Sequence, residues 1–286
     1  MRRFGKYRFA PVLTALFLIL LSAACACAQP WSFTIFSDSR SEYSAYRSVF
    51  EQIKSNGPSD PKFPPPDFVA AVGDIDPLET TVRIYNETIG PGVPFVPVRG
   101  NHESRSDVQF MLKQVLPALK FPLKYYDPLS TTYYFDHKNI RFISIDTYTA
   151  YGKGLRDPGL LDWVEKAITS ATSADHVFIA FHEPHLPLEP MRDPFWAILL
   201  RHTDKVRAVF CGHTHVHTRR FVPDTYGGVH FINSGSAGQK GHSDKNLTIV
   251  GISVDRKDVQ FRTIQAPQGM KVFRVTDRWS AASRGE

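Results

Sequence analysis

Apolar and polar residues alternate along this chain with two different periods. Short, continuously apolar runs such as Phe68–Val72 are typical of strands that are buried on both faces of a sheet. Apolar residues that recur every three or four positions, as Tyr46, Val49 and Ile53 do, predict a helix with one buried face. Polar loops rich in glycine and proline separate these segments, as expected between regular elements.

The two periods predict the following elements, given in chain order. The predicted strands are Ser32–Phe36, Phe68–Val72, Phe95–Val98, Tyr133–Phe135, Ile140–Ile145, Val177–Phe181, Val206–Phe210, Arg219–Val222, Val229–Ile232, Leu247–Val254 and Val259–Ile264. The predicted helices are Glu42–Ser55, Glu79–Ile89, Val108–Leu119, Leu160–Ser170 and Phe195–Arg201. Strands first alternate with helices and then crowd together, which predicts an α/β or α+β domain with large sheets.

The first residues of the chain have a different character. Residues 1–8 carry four positive charges and no negative one, and the apolar run Phe9–Ala24 follows them. This is the layout of a secretory signal, and the run is short for a membrane span, which needs about 20 apolar residues. Ala26-Cys27-Ala28 offers a cleavage site, so we expect a signal peptide over 1–28 and one domain over 29–286.

Two other fates of this leader stay open. Residues 21–25 resemble a lipoprotein signal, although Ser22 stands where leucine would be expected, so a lipid anchor at Cys25 is an alternative. An uncleaved anchor is the third interpretation. In each case we expect export, to the periplasm or the medium, and the sequence does not indicate an oligomeric state.

Removal of the leader changes both the charge and the cysteine count. The formal charge falls from +6 to +2 when its four basic residues are lost, so the charge does not indicate a nucleic-acid partner. Cys211 would be the single cysteine left, and no intramolecular disulfide could form.

Five predicted strands end in short loops that carry side chains able to bind metals. These loops are Ser37–Arg40, Gly73–Asp76, Arg99–Glu103, His182–His185 and Cys211–His215. Ligands of open α/β sheets bind beyond the carboxyl ends of the strands, and the glycines at 73, 100 and 212 are expected to allow sharp turns there. Each polar residue taken singly is explained as well by a loop or capping role, but together they indicate one common site.

The order of these motifs resembles that of the calcineurin-like metallophosphoesterases. The motifs are Asp38, Gly73-Asp74, Gly100–Glu103 (GNHE), His182 and Gly212–His215 (GHTH). The resemblance, which extends from about residue 31 to 215, implies a four-layer sandwich of two mixed β-sheets flanked by helices. It also implies hydrolysis of a small phosphomonoester or phosphodiester by a hydroxide held between two metal ions.

The resemblance assigns a role to most of these residues. Asp74 would bridge two divalent ions, one of which would also bind Asp38 and His215. The ligands of the second ion would be Asn101, His182 and His213. Mixed carboxylate, amide and imidazole ligands suit Mn, Fe or Zn, and His102, next to a ligand, would act as a general acid toward the leaving group.

Arg40 departs from this pattern, because the family usually has a metal-binding histidine at that position. Arginine stays protonated and cannot ligate a cation. Arg40 either binds a phosphate oxygen of the substrate, with the first ion held weakly, or pairs with a carboxylate such as Asp76 or Glu103. The same residue is the sequence support for an alternative function, a non-catalytic metal- or phosphate-binding protein. A nuclease would share the site but would require a basic groove, which a charge of +2 does not favour.

Several further residues are weaker candidates. Asp76 and Glu103 either orient His102 or are solvated loop acids, and Cys211 is expected to be a core residue. The tyrosines at 125, 126, 133 and 134 either pack in the core or form an aromatic wall. We expect His185 and His217 at the rim and the segment Ser234–Gly238 near the site, and we assign no role to His230 or His242. The loops at 57–67, 121–132, 185–194 and 234–244 would set substrate specificity, and the tail at 276–286 is expected to fray.

Overall fold

The computed structural model describes residues 29–40, 42–56, 60–148, 154–224, 227–238, 246–267 and 269–281. The predicted signal peptide at 1–28, the alternative anchor Cys25 and His242 therefore lie outside the described residues. No helix in the described ranges has the length and apolar character that crossing a membrane would require.

The regular elements follow the predicted order closely. The strands are β1 (Trp31–Phe36), β2 (Pro66–Val72), β3 (Phe95–Val98), β4 (Lys124–Tyr125), β5 (Tyr133–His137), β6 (Ile140–Ser144), β7 (His176–Ala180), β8 (Val206–Cys211), β9 (His217–Asp224), β10 (Gly227–Ser234), β11 (Asn246–Asp255), β12 (Asp258–Pro267) and β13 (Arg274–Ala281). The helices are α1 (Tyr43–Asn56), α2 (Leu78–Thr88), α3 (Arg105–Phe110), α4 (Leu116–Ala118), α5 (Pro158–Thr169) and α6 (Pro194–Arg201). A π-helical turn, Met111–Val115, joins α3 to α4.

Two mixed sheets form the centre of the fold. The first has the strand order β13-β12-β11-β1-β2-β3, and the second has the order β4-β5-β6-β7-β8-β10-β9. Within them β1, β2 and β3 are parallel to one another, as are β6, β7, β8 and β10, while the other pairs are antiparallel. The predicted strands at Tyr133–Phe135 and Ile140–Ile145 correspond to β5 and β6, which form an antiparallel hairpin.

Strand β1 shows how the layers pack, because successive side chains of a strand point to opposite faces of its sheet. Phe33 packs between the sheets, with its ring centroid 5.1 Å from that of Phe178 in the second sheet. Phe36 points outward and meets Phe50 of α1, with 5.4 Å between ring centroids. The first sheet is therefore covered by α1 on one side and by the second sheet on the other.

The outer face of the second sheet is covered in the same way. Phe181, directly after β7, packs on Phe195 of α6 at 5.5 Å between ring centroids, and Val164 of α5 is fully buried in the same apolar cluster. Helix, sheet, sheet and helix thus form four layers. The predicted fold class, two mixed β-sheets flanked by helices, is confirmed.

The tail predicted to fray, 276–286, is described only as far as residue 281, and the described part differs from the prediction. Strand β13 pairs with β12 along the edge of the first sheet, and Trp279 stacks on Phe261 with 5.2 Å between ring centroids. Most other β13 side chains are exposed, because an edge strand presents much of its surface to water. This polar composition explains why the segment resembles a tail in the sequence.

Candidate metal centre

Asp38, Asp74 and His215 meet at the carboxyl edge of the two sheets. All three are buried, and one potential ligand atom from each lies within 4.8 Å of the others. Asp38 Oδ1 is 2.9 Å from His215 Nε2. Two carboxylates buried together in a low-dielectric interior repel each other, and a cation between them would offset that repulsion.

The other predicted ligands form a second group around Asp74. His182 Nε2 is 3.2 Å from Asp74 Oδ1, and the rings of His182 and His213 are nearly perpendicular, with centroids 5.3 Å apart. His213 Nδ1 lies 3.0 Å from Asn101 Oδ1. The structure thus brings all six predicted ligands together in two groups that meet at Asp74, the residue expected to bridge two ions.

The proton positions at His182 show that this arrangement suits a cation. Its Nδ1 lies 2.8 Å from the carbonyl oxygen of Val72, which can only accept, so Nδ1 carries a proton and donates it. In a neutral imidazole Nε2 would then direct a lone pair at an oxygen of Asp74. Burial lowers the pKa of His182, but the contacts with Asp74 and Asp38 outweigh it and raise that pKa to about 9. A divalent ion would accept the lone pair of His182 Nε2 and a lone pair of the Asp74 oxygen, in place of a second proton on His182.

The same contacts act on Asp74. Burial alone would raise the pKa of Asp74, but the hydrogen bond and the charge of His182 hold it below its usual value. Asp74 therefore stays ionised, as a bridging ligand must.

Backbone conformation also sets these ligands apart. Asp38, Asp74, His213 and His215 all have positive φ angles, at 55°, 53°, 70° and 59°. This left-handed region is uncommon for residues other than glycine and costs on the order of 1 to 3 kcal/mol each. Strained residues of this kind cluster at functional sites, because the surrounding structure holds a geometry that the chain alone would not favour.

Three glycines next to the ligands are required, for two different reasons. Gly73 has a φ of +80°, and a Cβ there would also overlap the ring of His182. At Gly100 and Gly212 the reason is space, since a Cβ would overlap Asp74 and Asp38 respectively. The expectation of sharp turns therefore describes Gly73, whereas the other two allow neighbouring loops to approach closely.

Sequence comparison places this geometry in a family. Residues 32–217 match the calcineurin-like phosphoesterase family. The chain belongs to the calcineurin-like phosphoesterase family. No curated protein sequence matches it significantly.

Two solved structures are similar to this calcineurin-like phosphoesterase in fold. GAP50, the anchor in the inner membrane complex of Plasmodium, has 12% identity and a TM-score of 0.55, covering 89% of this chain and 90% of that one. PhoD has 12% identity and a TM-score of 0.54, covering 88% of this chain and 72% of that one. At these identities the likeness shows the fold alone.

Arg40, the departure from the family pattern, is held by an acidic partner. Its Nε donates to Asp76 Oδ1 over 2.8 Å, and the two side chains are 31% and 16% exposed. The backbone N–H of Arg40 donates to the carbonyl oxygen of Asp74. The structure thus contains the carboxylate pair that was one of the two interpretations, and it places the backbone of Arg40 directly beside that of Asp74.

Glu103 has a structural function that the sequence did not indicate. Its buried carboxylate accepts hydrogen bonds from the backbone N–H groups of Asp74, Ile75 and Gly100. Burial, with the nearby charge of Asp74, raises the pKa of Glu103 to about 7. Glu103 therefore fastens the loop after β3 to the loop after β2, and its oxygens are directed at backbone donors rather than at His102.

His102 is oriented by Asp74 itself. Its backbone N–H donates to Asp74 Oδ1 over 3.1 Å, and its Nε2 is 3.7 Å from Asp74 Oδ2. The side chain is 39% exposed, so it faces the open side of the centre. This is where a group that protonates a departing alcohol has to be.

The weaker candidates divide between packing and support of the site. Cys211 is buried, and Tyr133 is buried with its hydroxyl on the carbonyl oxygen of Pro97. Tyr126 and Tyr134 pack on Trp163, and Tyr125 is partly exposed.

His217 is held through both ring nitrogens by Asn233 and Thr263, and His230 is buried among aromatic rings. Ser236 donates to the carbonyl oxygen of Asp38, so the Ser234–Gly238 segment does lie at the site.

One group of residues at the site was missed in the sequence. Buried Asp146, which follows β6, accepts hydrogen bonds from Arg99, Thr131 and the backbone of Tyr148. The ring of Tyr148 lies 6.5 Å from that of His182. The rule that polar residues after buried strands meet at one edge would have found Asp146, but the end of β6 was not among the five strand ends considered.

Proposed function

We propose that this protein is a metal-dependent phosphoesterase that hydrolyses phosphomonoesters or phosphodiesters of small molecules. The observation that carries the proposal is the pair of ligand groups that share buried Asp74. Their carboxylate, amide and imidazole donors suit two divalent ions, Mn, Fe or Zn. Family membership supports phosphoester hydrolysis in general.

The residues of the chain have distinct parts in this reaction. Two bound ions would lower the pKa of a water molecule and bind the oxygens of the phosphoryl group. Asp74 and Asp38 supply the negative charge that holds the ions, and the buried His182 and His215 fix the ligand geometry. Protonated His102 donates its proton to the departing alcohol oxygen, which contributes about 10² to 10⁴ in rate.

Arg40 has a second part in the same proposal. Because Asp76 holds its Nε, the guanidinium is fixed at an exposure of 31%, on a residue whose backbone N–H donates to Asp74. A fixed, permanently charged guanidinium is a good partner for a phosphate oxygen. The first ion then has Asp38, Asp74 and His215 as its protein ligands, and we expect it to exchange more readily than the second.

The test combines elemental analysis with hydrolysis of one chromogenic phosphomonoester and one phosphodiester. We expect up to two metal ions per chain, turnover that is lost with a chelator, and recovery on adding Mn²⁺. Asp74→Asn should lose bound metal and at least about 10² in turnover, since even a residue that only supports a metal ligand contributes 10 to 100-fold. Asp162→Asn, an exposed carboxylate on α5 paired with Lys166, is the matched control and should retain both.

The second candidate is a non-catalytic metal- or phosphate-binding protein with the same fold. Arg40 favours it, because arginine cannot ligate a cation and the first ion therefore has one protein ligand fewer than is usual in the family. Bound metal without hydrolysis of any ester, under any metal supplement, would decide for this candidate. Arg40→His would then be the variant to examine for restored turnover.

We also propose that the protein is exported, on the basis of the basic and apolar leader at 1–28. The mature chain would then begin at Gln29, or at Cys25 if it is lipid-anchored. Amino-terminal sequencing of the protein expressed in its full length tests this, and recovery of an intact residue 1 in the cytoplasmic fraction would refute it.

A further inference from the structure

A cavity of about 590 Å³ opens directly beside the proposed metal centre. Its lining among the described residues includes Thr147, Arg156, Glu183 and His185. Glu183 immediately follows His182, one of the predicted ligands, so the cavity lies next to the strand end that carries this ligand. Small-molecule sites have volumes of about 300 to 1,000 Å³, so this cavity can hold a group larger than phosphate.

Tyr148 connects the cavity to the centre. Its hydroxyl lies 3.4 Å from Glu183 Oε2, and its ring lies next to His182. Its position is fixed through the backbone, since its N–H donates to Asp146 over 2.7 Å and its carbonyl oxygen accepts from Arg99 over 3.2 Å. A residue fixed in this way can position a substrate group accurately.

The polar groups along this wall include both donors and acceptors. Glu183 is exposed and offers carboxylate oxygens, while Arg156 is exposed and offers a guanidinium. His185 is oriented by Asp193, with 2.8 Å between Nε2 and Oδ2. Hydroxyl groups can donate and accept at once, so they can replace the water on both kinds of group, whereas an alkyl group can pair with neither.

We propose that this cavity binds the alcohol part of the substrate, and that Tyr148 and Glu183 select a polyhydroxylated alcohol, such as a sugar, over an alkyl alcohol of similar size. The inference rests on the proposed phosphoesterase function and narrows its substrate class. Tyr148 and Glu183 act here as specificity residues. Neither is a predicted metal ligand.

The experiment compares two esters that differ in the hydroxyl groups of the alcohol. Glucose 6-phosphate and n-hexyl phosphate are both phosphomonoesters of a primary alcohol with six carbons. We expect the metal-loaded protein to prefer glucose 6-phosphate by at least about tenfold in kcat/KM, because a site built for hydroxyl groups rejects an analogue without them. Tyr148→Phe and Glu183→Gln should each lower this preference by about tenfold, mainly through kcat/KM for the sugar ester.

Two matched variants serve as controls. Tyr43→Phe changes an exposed tyrosine on α1, and Glu87→Gln changes an exposed carboxylate paired with Arg83. Both should keep the wild-type preference within twofold. Elemental analysis of all four variants shows whether any change follows from loss of metal.

The outcomes separate this inference from the function on which it rests. Hydrolysis of both esters with the same preference in wild type, Tyr148→Phe and Glu183→Gln would overturn the inference and leave the phosphoesterase proposal intact. Absence of hydrolysis of both these esters, and of the chromogenic phosphomonoester and phosphodiester, in metal-loaded protein would refute the phosphoesterase proposal. Binding of glucose alone to the cavity would then be measured by saturation-transfer NMR. Absence of binding, or equal binding by wild type, Tyr148→Phe and Glu183→Gln, would overturn the inference about the cavity as well.

Discussion

At the residue scale, several of the predicted ligands have backbone conformations that are unfavourable for residues other than glycine. Asp38 has positive φ, and its carboxylate accepts the backbone N–H of His213, at 3.0 Å from Oδ2, as well as contacting His215. These contacts compensate part of the strain and fix the carboxylate before an ion binds. Preorganisation of this kind is what allows a metal site to impose its geometry.

Gly212→Ala tests how closely the ligands have to approach one another. The new Cβ would overlap Asp38 and Ser37, so we expect metal affinity to fall by at least about tenfold, as for loss of a residue that supports a ligand. Gly92→Ala is the matched control, because no atom lies within 4 Å of a Cβ at that position. Metal titration of both variants is the measurement, and equal affinities would contradict the packing argument.

At the scale of elements, the site depends on contacts between loops that follow different strands. Asp38 N–H donates to the carbonyl oxygen of Gly73, and Gly212 N–H donates to that of His182. Glu103 connects two more of these loops through the backbone of Ile75 and Gly100. The strands determine where each loop begins, and these hydrogen bonds hold the loops in fixed positions relative to one another.

Glu103→Gln tests this connection. A glutamine amide presents an NH₂ group to backbone N–H donors, so at least one buried donor loses its acceptor. We expect a loss of about 1 to 3 kcal/mol in the free energy of unfolding, the cost of an unsatisfied buried polar group. Denaturant unfolding measures it, with the exposed Glu51→Gln as control, and a loss no greater than in that control would show that the carboxylate is dispensable.

At the scale of the whole molecule, two buried histidines outside the predicted site link stability to pH. His176 accepts from Arg207 Nε at 2.9 Å and contacts the carbonyl oxygen of Arg256, and burial lowers its pKa to about 4. His230 lies between the rings of Phe221 and Phe261, and burial lowers its pKa to about 4 as well. Both are therefore neutral in the folded protein at neutral pH.

The sign of the pH dependence follows from these values. The unfolded chain protonates each histidine near its ordinary pKa of 6.5, whereas the folded protein resists protonation down to about pH 4. Stability is thus complete above pH 6.5 and falls as the pH drops toward 4, by up to about 3 kcal/mol per histidine. Replacing His230 with phenylalanine should make this decrease smaller by about that amount.

Unfolding of the chelated protein at pH 7, 6, 5 and 4 measures this difference. Wild type and His230→Phe are compared at each pH, so that contributions from other titrating groups cancel in the difference. Parallel stability curves for the two proteins would refute the assignment of a depressed pKa to His230.

The sequence alone determined the layers and the ligand types. Buried strands need continuous apolar runs and helices need a three-to-four-residue period, so β1, β2, β7, α1 and α5 could be placed to within one or two residues. Metal ligands are recognisable because few side chains bind cations and because parallel strands deliver them to one edge. The six ligand candidates, which the resemblance to the family selected from these strand ends, do come together in the structure.

Only the tertiary structure decided how the polar residues are paired. The partner of Arg40 was one of several options in the sequence. Two of the backbone donors of Glu103, at Asp74 and Ile75, are distant from it in the chain. The same is true of Tyr148 and its neighbour His182. Strand β13 was missed because its stability comes from pairing with β12 and from Trp279 on Phe261, not from its own composition. The local pattern of apolar and polar residues predicts which face of an element is buried. The partner of a polar group depends on distances between loops, and these are set only when the loops have packed.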